Sequence, residues 1–285
     1  MLNNLSRRKF LALSAAAGAG MFQLSSIARA AAARDYSGLP IGMQSYTLRK
    51  FTMREAVRHV QALGLHHIEF FGAHYSPAST AEQIKEMKQL LGTADIAISA
   101  HGVNKFSKDH EANRKLFEFA KRAGFSNLTA NPLPDAFDSL DKLCAEYSKY
   151  NIRICIHNHG PGALYDKLED VQKAVKGRHK LIGACVDTGH VLRSDQDPVK
   201  WIRELGPRVF ALHIKDVAER QKRTHDVVIG KAHLDLVAMF KALKKIGFPA
   251  DGSLSLEYES NPENPIDDIK QCLDAAAAAI AKAAA

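Results

Sequence analysis

The chain is poor in the features that mark several large protein classes. Its four cysteines (144, 155, 185 and 272) include no C-x-x-C pair, which removes the paired-thiol motif. Cys155 and Cys185 lie inside short apolar runs, so buried free thiols are expected, and a disulfide between neighbouring strands stays open. No apolar run is long enough to span a membrane; the nearest, residues 11–21, is short and broken by Gly18 and Gly20. No block of clustered lysine and arginine is interleaved with aromatics, so nucleic acid is not an expected partner. No glycine-rich fingerprint follows the first strand-like run, which argues against a doubly wound nucleotide-binding sheet. There is no internal repeat and no internal linker.

What is there begins with an address. Ser6-Arg7-Arg8-Lys9-Phe10-Leu11 reads as a twin-arginine export signal, followed by an Ala/Gly-rich apolar run and the cleavage pattern Ala28-Arg29-Ala30. On this reading residues 1–30 are a signal peptide, residues 31–285 are the mature domain, and the location is periplasmic or otherwise exported. Removing residues 1–30 takes away Arg7, Arg8, Lys9 and Arg29 and no acid, so the formal charge falls from +8 to +4. A mild positive balance argues weakly for anionic partners.

The mature part alternates strand-like and helix-like segments from end to end. Short apolar runs fall at 40–46, 66–71, 95–101, 126–131, 152–157, 182–187, 208–214 and 253–258. Amphipathic stretches lie between them at 53–63, 81–91, 112–123, 139–150 and 234–246, and Gly64, Gly92, Gly124 and Gly247 read as helix stops. Eight strands, each followed by a helix, in about 255 residues predict a (β/α)8 TIM barrel. The alanine-rich C-terminus is expected to be a frayed helical tail, and Trp201 is expected in outer-layer packing.

In such a barrel the chemistry sits at the C-terminal ends of the strands. Strand two ends near Glu69, strand three at His101 and strand four at Asn131. Strand five ends at His157, with His159 beyond, and strand six ends in Asp187 and His190. Strand seven supplies His213, Lys215 and Asp216, and strand eight Glu257 and Glu259. One strand-end histidine is commonly hydrogen-bonded structure. Four consecutive strands closing on ligand-type residues point to a metal, because burying several ionisable groups together needs compensation. Two residues further back stand His67, Ser99, Thr129, Cys155, Cys185, Ala211 and Ser255, mostly small, as a narrow interior requires. His101 is expected to touch substrate. Glu69 is expected either to bind substrate or to pair with a cation.

These strand ends carry a resemblance. The stretches G-M-Q-S-Y-T-L-R (42–49), I-H-N-H-G (156–160), V-D-T-G-H (186–190), H-I-K-D (213–216), V-I-G-K-A-H-L-D (228–235) and L-E-Y-E (256–259) are similar to the xylose-isomerase-like barrels. That sugar phosphate isomerase/epimerase superfamily includes ketose 3-epimerases, inosose dehydratases and, more distantly, endonuclease IV. The resemblance implies one divalent metal ion, Mn2+ first and Zn2+, Fe2+ or Co2+ as alternatives. Its implied ligands are His157, Asp187, His213 and Glu257. The family's strand-five motif E-N-H reads H-N-H here, so His157 stands where a glutamate is usual. A neutral imidazole ligand cannot also take a proton as a carboxylate can. Only Glu257 then remains of the family's two carboxylate bases, and the ligand charge falls from −3 to −2, which strengthens the metal as a Lewis acid.

The resemblance implies a sugar isomerase or epimerase acting on an unphosphorylated sugar or keto-sugar. Glu257 would be the base, and His159, His190 or Lys215 would supply a proton or hydrogen bond. Gln44, Glu69 and His101 would contact substrate. A lyase or dehydratase acting on a 3-keto-sugar or keto-glycoside is the alternative raised by the H-N-H change. A non-catalytic metal- and sugar-binding subunit of a sugar-oxidising assembly is the reading from another class; it predicts bound metal without proton exchange. A nuclease is disfavoured because the D-x-H pair expected before I-G is T-H-D-V-V-I-G here. No oligomeric state is predicted.

Overall fold

A computed structural model describes residues 34–285; the export-signal reading lies outside the described residues. Eight parallel strands close into a barrel: β1 (Ile41–Gln44), β2 (His67–Phe70), β3 (Ala97–Phe106), β4 (Asn127–Pro132), β5 (Arg153–His157), β6 (Ile182–Asp187), β7 (Val209–Ile214) and β8 (Ser253–Leu256). Each pairs with its sequence neighbours, and β1 closes on β8 through Ile41 opposite Leu254 and Met43 opposite Leu256. All eight predicted strands are present.

Eight helices form the outer ring: α1 (Met53–Ala62), α2 (Ala81–Ala94), α3 (His110–Ala123), α4 (Phe137–Glu146), α5 (Leu168–Val175), α6 (Pro198–Leu205), α7 (Leu236–Lys245) and α8 (Ile266–Ala284). Thr52 with Glu55 and Thr80 with Gln83 build capping boxes at the starts of α1 and α2, each satisfying backbone donors that a helix start leaves free. Gly124 closes α3 in the left-handed region, as expected of a stop glycine. Gly92 does not stop α2: the helix runs on to Ala94, and Asp95 takes the left-handed cap instead. The alanine-rich C-terminus is also not frayed. It is the continuous helix α8, with Ala276, Ala279 and Ile280 buried. Small side chains allow that close approach.

Two features escaped the sequence reading. A short helix, Thr188–Arg193, follows β6 directly, and a two-stranded antiparallel ribbon joins Asp216–Val217 to Asp226–Val227 beyond β7. All four cysteines are buried and unpaired. Trp201 is buried in the outer layer, its indole N–H donating to Gln196. Among the described residues no helix is long and apolar enough to cross a membrane.

Candidate metal centre

His157, Asp187, His213 and Glu257 converge at the C-terminal mouth of the barrel, each buried, with one potential ligand atom from each lying within 4.8 Å of all the others. His157 Nε2 is 3.0 Å from His213 Nδ1 and 3.4 Å from Asp187 Oδ2. His213 Nδ1 is 2.9 Å from Glu257 Oε2 and 3.9 Å from Asp187 Oδ2. Ligands bonded to one ion at ordinary metal–N and metal–O lengths sit roughly 3–3.5 Å from each other. The cluster therefore has the spacing of a shared coordination shell.

The motifs around these residues hold them in place. In I-H-N-H the asparagine faces no ligand. Asn158 accepts from the Asp187 backbone N–H (2.8 Å) and donates to the Asp187 carbonyl (3.1 Å), tying the end of β5 to the end of β6. In V-D-T-G-H, Asp187 uses Oδ1 to cap the short helix through the His190 N–H, which leaves Oδ2 facing the cluster. Thr188 accepts from the Lys215 N–H (2.8 Å) and donates to the Lys215 carbonyl (2.7 Å), stapling β6 to the segment after β7. Gly189 is there for space: a Cβ would lie 2.7 Å from the Lys215 Cβ. In H-I-K-D, Asp216 is a structural acceptor, taking backbone N–H groups from Val217, Gly230, Ala232, His233 and Leu234. It shapes the V-I-G-K-A-H-L-D loop from below.

Lys215 Nζ lies 3.0 Å from Glu257 Oε2 and 3.3 Å from Asp187 Oδ2, and also contacts Glu259. Burial opposes ionisation of every group here, but the neighbours decide the outcome. Lys215 and the adjoining His157 ring hold Asp187 well below the usual carboxylate range, and Lys215 with His213 does the same to Glu257. Lys215 is raised by the surrounding carboxylates. Burial pushes His159 down to about 4 and His190 to about 3, so both are neutral imidazoles at neutral pH. Cys185, Glu69 and Glu257 raise His213 against the effect of its burial.

These residues fit a divalent cation. Asp187 Oδ2, which faces the cluster, is buried beside Lys215 without a well-aligned hydrogen bond, an expensive condition for a polar atom. Three carboxylates (Asp187, Glu257 and Glu259) gather around the Lys215 ammonium and a fourth, Glu69, lies against the His213 ring beneath, leaving an excess of negative charge. Two nitrogen and two oxygen donors suit manganese, iron, cobalt or zinc.

A cavity of about 420 Å3 opens above the cluster. Of the sequence-predicted residues it is lined by Gln44, His157, His159, His190, His213, Lys215 and Glu257. Gln44 uses Oε1 to accept from the Tyr46 N–H, leaving its amide donors. The rings of His157, His159 and His190 form one wall, with centroids 4.6–5.9 Å apart. Tyr46, Phe71 and Val103 form the apolar part of the lining and Arg193 a further cation, none of them singled out from sequence.

Two expected substrate contacts do not reach this cavity. His101 turns outward between Phe119 and Phe125, bonded to the Tyr75 carbonyl and Asn104. The cause is a register shift: Ile68 pairs with Ile98 but Glu69 with Ala100, so one extra residue, Ser99, sits on β3. That bulge reverses the alternation, and His101 falls opposite Phe70 in the outer layer. Glu69 points inward but too low. It is fully buried beneath the cluster, accepting from Thr129 and Ser255 and lying 3.1 Å from His213 Nε2.

Residues 57–278 match the xylose isomerase-like TIM barrel family. The chain belongs to that family. Among its curated relatives is an inosose dehydratase of Bacillus thuringiensis, 25% identical over 146 residues. That match covers 50% of this chain and 44% of the relative, so the alignment spans less than half of the relative's length. A solved structure of an uncharacterised protein from Parabacteroides distasonis superposes with a TM-score of 0.65 at 28% identity, covering 84% of this chain and 98% of that one. A D-psicose 3-epimerase from Clostridium cellulolyticum matches with a TM-score of 0.65 at 15% identity, over 86% and 98% of the two chains. Both epimerases and dehydratases are thus among the proteins this chain is similar to.

Proposed function

We propose that this protein is a divalent-metal-dependent enzyme that moves a proton at the carbon beside a carbonyl, in an unphosphorylated sugar or keto-sugar. The observation that carries this reading is the buried His157–Asp187–His213–Glu257 cluster at the floor of a cavity. A bound ion would supply Lewis acidity toward a carbonyl oxygen. Glu257 is the base: its Oε2 makes the contacts to His213 and Lys215, leaving Oε1 for the substrate proton. Lys215, held by three carboxylates, places a fixed positive charge near the substrate oxygen on which negative charge develops. His159 and His190, both neutral, supply hydrogen bonds to substrate hydroxyls.

Two outcomes follow from one proton abstraction. In isomerisation the proton returns to the former carbonyl carbon while the neighbouring hydroxyl gives its proton to the former carbonyl oxygen and becomes the new carbonyl. In elimination the C–H bond breaks, a C=C bond forms, the adjacent C–O bond breaks, and Glu257 hands its proton to the departing hydroxide, releasing water. Epimerisation by two carboxylates is disfavoured, because the histidine wall of the cavity is built from imidazoles, and His157 stands where the family resemblance places a second carboxylate. We favour elimination on a keto-sugar, with the likeness to inosose dehydratases as support, and keep isomerisation as the second reading. The unphosphorylated substrate rests on reading residues 1–30 as an export signal and on the cavity cations. Lys215 is taken by carboxylates, and Arg193 is bonded to the Lys222 carbonyl and His190.

The test is to load the mature protein with Mn2+ and incubate it in D2O with free sugars and their 3-keto derivatives. Deuterium should enter beside the carbonyl and be lost with Glu257→Gln, and loss of water from the product separates elimination from isomerisation. Stoichiometric metal without exchange on any substrate would favour a binding subunit instead.

A further inference from the structure

We propose that Glu69 is the positioning carboxylate of His213: it receives the Nε2–H of the ring and so keeps the Nδ1 lone pair directed at the metal-ligand cluster. This rests on reading that cluster as a metal site. The argument starts from tautomers. A neutral imidazole carries one N–H, and only its other nitrogen can bind a cation. His213 Nδ1 faces the cluster, 3.0 Å from His157 Nε2 and 2.9 Å from Glu257 Oε2. The proton must then sit on Nε2, and Glu69 Oε1 lies 3.1 Å from that atom. The approach is close but not well aligned, so in this structure Nε2 lies within reach of Glu69 without completing a hydrogen bond of good geometry.

Glu69 has no other evident task. It has no exposed surface and no route to substrate, yet a buried carboxylate needs compensation. Its oxygens are gripped from two sides. Thr129 of β4 donates to Oε1 at 2.6 Å, and Ser255 of β8 donates to Oε2 at 2.7 Å. Ser255 is itself backed by Ser253, which bonds Ser99 across the interior. Two hydroxyls on separate strands thereby aim a carboxylate from a third strand at a ring on a fourth. Carboxylate partners of ligating histidines fix ring orientation and raise ligand basicity, and their loss lowers metal affinity by about 10–100-fold.

The experiment measures Zn2+ affinity by chelator competition, together with NMR of the 15N-histidine-labelled, Zn2+-loaded protein. Glu69→Gln, which keeps the shape and removes the charge, should weaken Zn2+ binding by about 10–100-fold and shift the His213 Nε2–H resonance upfield. Glu69→Asp should recover part of the affinity. Should Glu69→Gln not fold, Thr129→Val with Ser255→Ala, which frees the carboxylate while leaving it in place, should weaken binding several-fold. Affinity and resonance unchanged in whichever variant folds would reduce Glu69 to core filler. A loss caused by Cys185→Ala and not by Glu69→Gln would assign the ring to the thiol instead. If the unaltered protein takes up no Zn2+, the metal reading fails first and this proposal with it.

Discussion

Asn158 offers the sharpest test of how the site is held, because its side chain meets backbone and no ligand. It is fully buried, and both of its hydrogen bonds go to the Asp187 peptide groups. Asn158→Ala leaves a buried N–H and a buried C=O at the end of β6 without these partners. Each such loss costs about 1–3 kcal/mol, so the pair costs about 2–6 kcal/mol. For a domain of this size 1 kcal/mol moves the Tm by about 2–4 °C, giving a fall of about 4–24 °C. The assay is thermal unfolding followed by circular dichroism on metal-stripped protein, which keeps ligand linkage out of the comparison. Asn158→Asp sharpens it. The acceptor for the Asp187 N–H is kept, but a carboxylate oxygen replaces the donor facing the Asp187 carbonyl, so the loss should be at least as large. A Tm shift below about 2 °C for the alanine variant, or an aspartate variant as stable as the parent, would refute the pairing as the tether of the site.

Two further outcomes follow from packing and charge. Gly189→Ala would bring a Cβ to 2.7 Å from the Lys215 Cβ and 3.2 Å from its Cδ. The nearer atom is no flexible tip, so the variant should lose about 1–3 kcal/mol and slow deuterium exchange by displacing Lys215; parent-like melting and exchange would contradict that. Asp226 is raised from 3.8 to about 6, chiefly by burial and against the pull of Lys215. The folded state thus keeps a proton that the unfolded state releases, and stability falls as pH rises from about 4 to about 6. In metal-stripped protein Asp226→Asn should gain up to about 3 kcal/mol at pH 7.5 and progressively less toward pH 4.5. A gain independent of pH in urea unfolding would show that charge burial is not the cause.

The barrel was legible because its determinants are local. Strand-like runs separated by amphipathic stretches read directly as eight βα units, and the strand ends pointed to where side chains converge. The ligand candidates on β5 to β8 lie within one or two residues of their strands' ends, so counting along each strand sufficed. Counting failed on β2 and β3 for two different reasons. On β3 the inserted Ser99 reverses the alternation, a fact of pairing with β2 that no single strand reveals. On β2 the alternation holds but the height does not. Strands in a closed barrel are tilted and staggered, so Glu69, near the end of its own strand, sits level with Thr129 and Ser255 in the layer beneath.

The same geometry explains why supporting residues were harder to read than ligands. A ligand needs only the right chemistry at a strand end. A support needs a partner supplied by a different strand. Asn158 is a plausible metal neighbour in sequence, yet its amide matches the Asp187 peptide across the β5–β6 seam. Asp216 looks like a fifth ligand, yet both its oxygens are taken by the loop that follows. Of the acidic residues at or just beyond the ends of β6, β7 and β8, Asp187 and Glu257 keep an oxygen for the cluster, Glu259 pairs with Lys215, and Asp216 does neither. What separates them is the number of backbone N–H groups each must satisfy. Asp187 caps a short helix with one oxygen and keeps the other, whereas Asp216 accepts from five residues and has none to spare.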